Sequence, residues 1–164
     1  TTVVIEGLEI ANGIAISADQ QFLVIAETGS YRLLRHWLEG PDAGQTEVLL
    51  TNLPGLPDNV NNGQNGRLWV GLVVRRNDQL DAMSGRPWLR KLVLRLPPAL
   101  QPVIDPPAHV FSISGDGEVL MDLQDTVPRL SALTGAYETA DALWLSSLFG
   151  NQLGRLDKRD LAHP

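Results

Sequence analysis

A chain of 164 residues, 43% of them hydrophobic, is long enough to build a well-packed domain. Nineteen acidic against 13 basic residues leave a formal net charge of -6, which disfavours nucleic acid and anionic membrane surfaces as partners. No cysteine is present for disulfide or thiolate chemistry, and the longest apolar runs, such as Leu92–Leu96, stop at Pro97 and Pro98, far short of the roughly 20 residues of a membrane span.

The first residues, Thr1–Glu6, are β-branched and read as a strand, as expected of a start inside a larger fold. Strands follow over Gly13–Ser17, Phe22–Glu27, Arg32–Leu38 and Thr46–Thr51, then over Val60–Asn62 and Leu68–Val73. Asp19-Gln20-Gln21 and Gln64-Asn65-Gly66 supply polar turns that tolerate positive φ. One segment changes period: Trp88, Leu89, Leu92, Val93 and Leu96 share a helical stripe, with Ser84 as its cap and Pro87 in its first turn. This predicts a short helix over Pro87–Leu96, ended by Pro97, Pro98 and Pro102 and packed on the rim of a sheet. Strands resume at His109–Ser114 and Val119–Leu123, joined through Asp116-Gly117, and continue at Gly135–Glu138, Leu143–Leu148 and Gln152–Leu156. The fold class is therefore mainly β with one helical insertion.

The strands repeat. Asn12 precedes Phe22-Leu23-Val24 by ten positions, and Asp58 precedes Leu68-Trp69-Val70 by the same ten. The two units lie 46 positions apart, close to the roughly 40 to 45 residues of a four-stranded propeller blade. A third unit, Thr134-Gly135-Ala136-Tyr137-Glu138 followed by Leu143-Trp144-Leu145, lies beyond the helical insertion. Three units imply about three blades, whereas propellers close with four to eight. Either a second copy completes the ring as a homodimer, or the chain is one half of a longer protein whose N-terminal half closes it.

Several motifs are characteristic: Ile10-Ala-Asn-Gly-Ile-Ala-Ile-Ser17, Ala26-Glu-Thr-Gly29, the run from Tyr31 to Pro41, Asn52-Leu-Pro-Gly-Leu-Pro-Asp-Asn59, Arg86-Pro-Trp-Leu-Arg-Lys-Leu92 and the run from Ser146 to Leu156. On these the chain resembles the strictosidine synthase-like family, related to adipocyte plasma membrane-associated protein and more distantly to paraoxonase and gluconolactonase. The resemblance implies the C-terminal half of a six-bladed β-propeller. Residues 1–7 would be the final strand of one blade, 10–55 and 56–125 two blades, the second carrying the insertion near 84–97, and 127–160 a last, incomplete blade.

Equivalent positions at the start of innermost strands face a propeller's central axis, so Asn12 and Asp58 are expected to converge there. An amide oxygen and a carboxylate are hard donors suited to Ca2+. The resemblance assigns the same residues to an axial calcium, with Asn59 as a further ligand, and implies a lactone or ester hydrolase acting on a small-molecule substrate. The family's eponymous reaction, amine-aldehyde condensation, relies on a glutamate whose matching position here is Thr134, a hydroxyl that does not shuttle protons near neutral pH. Glu138, four residues on and on the same strand face, is the candidate substitute, its competing role being that of a solvated strand carboxylate. His36 reads as a packing residue, and neither His109 nor His163 has a visible partner. A non-catalytic half-propeller that self-associates is the third reading.

Overall fold

Tight polar turns set the strand boundaries. Ser17 donates its hydroxyl to Asp19 (2.6 Å) and accepts the N–H of Phe22 (3.1 Å), while Gln20 adopts φ 62°, so the chain reverses between β1 (Ala11–Ile16) and β2 (Phe22–Glu27). With β3 (Arg32–Trp37) and β4 (Thr46–Leu50) these strands form an antiparallel sheet in sequence order. The plan recurs in β5 (Gly55–Asn62), β6 (Leu68–Arg75), β7 (Ala108–Ile113) and β8 (Val119–Asp125). A third sheet has three strands, β9 (Leu133–Glu138), β10 (Ala142–Ser147) and β11 (Gly154–Asp157). The computed structural model describes residues 1–77, 81–82, 87–93, 95–97, 106–126 and 129–161.

The sheets stack face to face. Val24, Ala26 and Leu33 of the first pack on Val70, Leu72 and Ile113 of the second, forming one core. Trp69 and Val110, on the other face of the second sheet, pack on Leu133, Ala136 and Leu143 of the third. Neighbouring Trp69 and Val70 thus enter different cores, which is why β6 is almost uniformly apolar instead of alternating. Each fully buried leucine, such as Leu72, contributes about 2 kcal/mol of transfer free energy. The innermost strands lie side by side, β1 against β5 and β5 against β9, so the three sheets are successive blades around one axis.

Three expectations change. Thr1–Glu6 forms no strand, because an extended segment becomes a strand only by pairing, and among the described residues nothing pairs with it. β5 starts at Gly55, well before Val60, since Leu56 and Pro57 also pair with β6; Pro57, which has no N–H to donate, sits where the register shifts. The helix spans Pro87–Val93, and Trp88 and Leu92, one turn apart, are 66% and 53% exposed, so this part of the stripe does not pack on the rim. The expected cap Ser84 and the stops Pro98 and Pro102 lie outside the described residues.

Candidate functional site at the inner strands

The pairing of the innermost strands is interrupted at matching places. In β1, Ala11 pairs with Glu27 and Ile14 with Ile25, so Asn12 and Gly13 oppose the single residue Ala26. In β5, Pro57 pairs with Leu72 and Val60 with Val70, so Asp58 and Asn59 oppose the single residue Gly71. Both are two-against-one β-bulges, which break the alternation of side chains and re-aim them. A third irregularity lies in β9, where Gly135 pairs with Ser146 and Leu133 with Ser147, leaving Thr134 without a partner residue. The repeated unit of the sequence is therefore also a repeated backbone deviation.

These deviations bring the strands into backbone contact. A Cβ at Gly13 would lie 2.4 Å from the Val60 backbone nitrogen and 2.5 Å from the Asp58 backbone carbonyl oxygen, so β1 and β5 meet at their bulges. A Cβ at Gly135 would lie 2.6 Å from the Asn61 amide nitrogen and 3.2 Å from the Asn59 Cβ, which brings β9 to the same cluster. Burial pushes the Asp58 carboxyl above the usual aspartate range, and hydrogen bonding with the Asn12 side chain offsets this only in part. Among the described residues no basic side chain forms an ion pair with Asp58, in contrast to the other half-buried and buried carboxylates described below. Its oxygens and the amide oxygens of Asn12 and Asn59 are hard donors of the type that calcium takes, and a cation held by them would supply the charge compensation Asp58 otherwise lacks. The set carries one formal charge, and among the described residues no group of three or more His, Cys, Asp or Glu side chains adds to it.

Thr134 is buried, and its hydroxyl lies 2.8 Å from that of Ser146, which also donates to the Gly135 carbonyl at 3.4 Å. Sequence reasoning passed over Ser146 and Asn61. Asn61 follows Asn59 by two strand positions, and that spacing was the available signal.

Glu138 is not a solvated carboxylate: its side chain is only 1% exposed. It accepts the Trp69 indole N–H at 2.9 Å and the Gln64 backbone N–H at 2.9 Å, and pairs with Lys158 at 2.6 Å and Arg67 at 3.7 Å. Burial pushes this carboxyl up, but Lys158, Trp69, the Gln64 N–H and Arg67 outweigh it and hold the group below the usual glutamate range. The reading as a solvated group failed because its donors come from β6, the turn after β5 and residue 158, none of them near it in sequence. Glu27 is similar: wholly buried, it pairs with its cross-strand neighbour Arg32, accepts the Glu9 N–H at 2.8 Å and is held low.

Both described histidines have partners. His36 is buried with its Nδ1 2.8 Å from the Thr46 hydroxyl, a packing role. His109, expected to lack a partner, is buried with its Nε2 2.6 Å from Asp122 on the adjoining strand. His163 lies outside the described residues.

Residues 1–41 match the family model described as strictosidine synthase. The chain is 36% identical over 163 residues to strictosidine synthase-like protein 10 of Arabidopsis thaliana, covering 95% of this chain and 43% of that protein. It is 32% identical over 162 residues to the adipocyte plasma membrane-associated protein of Danio rerio, covering 94% and 39%. Among solved structures, a gluconolactonase from Xanthomonas campestris superposes with a TM-score of 0.59 at 17% identity, over 93% of this chain and 39% of that one. A luciferin-regenerating enzyme does so with a TM-score of 0.52 at 18% identity, over 85% and 38%. The chain thus spans less than half the length of these relatives, and the structural likeness establishes a shared propeller fold.

Proposed function

Because the chain belongs to the strictosidine synthase-like family, we propose that Asn12, Asp58 and Asn59 form part of an axial calcium site in a lactone or ester hydrolase, and not in an amine-aldehyde condensing enzyme. The observation that supports this reading is the pair of matching bulges, at which the Asn12 side chain hydrogen-bonds with the Asp58 carboxyl and burial raises that carboxyl's pKa, with Asn59 the second residue of the same bulge. A bound cation of this kind supplies Lewis-acid polarisation of a substrate carbonyl. The chain's own residues have simpler tasks. Asp58 provides charge and two oxygens, Asn12 and Asn59 provide neutral oxygens, and the close contact at Gly13 holds the bulges against each other. The small-molecule substrate would approach the axis from the end that these residues occupy.

The condensing reaction is disfavoured by two details. Thr134, at the position the resemblance gives to the acid/base, offers a hydroxyl already engaged with Ser146. Glu138 is enclosed by donors that favour its ionised form, which makes it a poor proton donor near neutral pH. The relatives named as gluconolactonase and luciferin-regenerating enzyme support the fold on which such a site is built, and the substrate class follows from the proposed chemistry alone.

Isothermal calorimetry with Ca2+ on the unaltered chain and on Asp58→Asn tests the site, and a panel of small lactones and aryl esters with and without chelator tests the activity. Saturable binding that D58N abolishes, with chelator-sensitive hydrolysis, is the expected result. Binding unaffected by D58N would overturn the assignment.

A further inference from the structure

The first and second sheets, each complete with four strands, leave a cleft of about 210 Å³ where the end of β4 and its link to β5 face the outer strands β7 and β8. Its walls are mostly apolar: Leu50, Leu53, Pro54, Phe111 and Val119. Leu53 and Phe111 also belong to the core that these two sheets share, so the cleft opens directly onto that core. Every residue that lines it lies between positions 50 and 122, in two neighbouring sheets that are both present.

One polar ring sits in these walls. The side chain of His109 is only 7% exposed, and its Nε2 stands 2.6 Å from Asp122 Oδ1, whose other carboxylate oxygen takes the Gln124 side-chain amide at 3.1 Å. An ionised carboxylate only accepts hydrogen bonds, so Nε2 carries the hydrogen and the neutral ring keeps Nδ1 as a bare acceptor. Among the described residues nothing donates to Nδ1. Nor is Nδ1 sealed off, since Ser112 Oγ is the sole enclosed side-chain polar atom without a partner among the described residues. The open part of a ring so nearly buried therefore faces the cleft that it lines.

Size and charge define what fits. An apolar cavity of about 150 Å³ holds benzene, so this one takes a single substituted ring and nothing drug-sized. An anion would meet the Asp122 carboxylate in the same walls, and a cation would find that carboxylate already held by His109 and Gln124. The occupant is neutral. Nδ1 adds the last requirement, because a group that covered it without donating a hydrogen bond would leave a buried acceptor unsatisfied. Phe111 offers a ring edge or face to an aromatic body.

We propose that this cleft is a binding site for a neutral one-ring phenol, whose hydroxyl donates to His109 Nδ1 while its ring packs on Phe111 and Leu53. Asp122 keeps the ring hydrogen on Nε2 and so leaves Nδ1 free to accept. The site lies at the outer strands, away from the inner-strand bulges, and needs no cation.

Phenol titrated into the unaltered chain in the presence of chelator, followed by the imidazole 15N signals of His109, tests it. The expected result is saturable binding in which the Nδ1 signal moves to lower frequency, as it does when a bare ring nitrogen gains a hydrogen bond. Anisole, which keeps the oxygen without its hydrogen, and benzoate, which adds charge, should each bind at least about tenfold more weakly. Val119 is 49% exposed, so Val119→Trp is tolerated by the strand while filling the cleft, and should weaken phenol at least about tenfold. His109→Phe should reduce phenol to the level of anisole, and if that variant does not fold, V119W carries the test. Anisole or benzoate binding as tightly as phenol, phenol binding untouched by V119W, or no saturable shift at His109 would each overturn the proposal.

Discussion

The indole N–H of Trp69, in the second sheet, donates to the carboxylate of Glu138, in the third, across 2.9 Å. The same carboxylate takes the Gln64 backbone N–H and the Lys158 ammonium, so a single buried anion ties two blades and the segment after β11 together. Glu138→Gln leaves Lys158 and Arg67 without their anion and should cost about 3 kcal/mol. Because the folded state holds this group below its unfolded value of 4.5, the unfolded chain binds the extra proton, and stability rises with pH through that window. The contribution is complete above about pH 4.5 and is lost as pH falls through the folded value. Chemical denaturation of E138Q and the unaltered chain between pH 3 and 7, with the two curves converging at low pH, checks this.

Asp58 has the opposite sign. Its folded pKa lies above the unfolded 3.8, so the folded state binds the proton more tightly and stability falls as pH rises through that interval. Without a cation, Asp58→Asn should therefore stabilise the chain near neutral pH while removing the response to Ca2+. Thermal unfolding with chelator and with millimolar Ca2+ should show the mutant more stable in the first and unmoved in the second.

Gly13 is where two bulged strands touch. A Cβ there would stand 2.4 Å from backbone nitrogen, a contact that no rotamer relieves, so Gly13→Ala must push β1 and β5 apart. We expect a loss of about 3 kcal/mol and a weakened calcium response, measured by urea denaturation and calorimetry.

Thr28 donates its hydroxyl to the Pro57 carbonyl at 2.6 Å, a buried bond from the turn after β2 to the start of β5. Thr28→Val keeps the shape and strands that carbonyl, so about 1 to 2 kcal/mol should be lost in denaturant titration. Serine at the same position should recover most of it.

Much of the architecture was legible along the chain because it rests on local rules. Turn residues bounding a short apolar run placed the strand Phe22–Glu27 to the residue, and the ten-residue offset from Asn12 and from Asp58 to the next apolar run exposed the blade repeat. The proximity of the candidate residues Asn12 and Asp58 was legible for the same reason: they occupy equivalent positions of a repeat, and a repeat places equivalent residues alike. The bulges themselves were not visible, since a two-against-one pairing depends on the partner strand. Nor was the helix's exposure at Trp88 and Leu92, because an amphipathic stripe records which side would pack and not whether anything lies beneath it.

By itself, then, the amino-acid sequence determined most of the strands, their turns and their grouping into three units, because each depends on backbone preference and on side chains a few positions apart. Only the tertiary structure decided the rest. Glu138 became a buried anchor because its donors arrive from distant parts of the chain, Asp58 acquired its raised pKa from burial, and Thr1–Glu6 pairs with nothing among the described residues because a strand exists only when another segment supplies its hydrogen bonds.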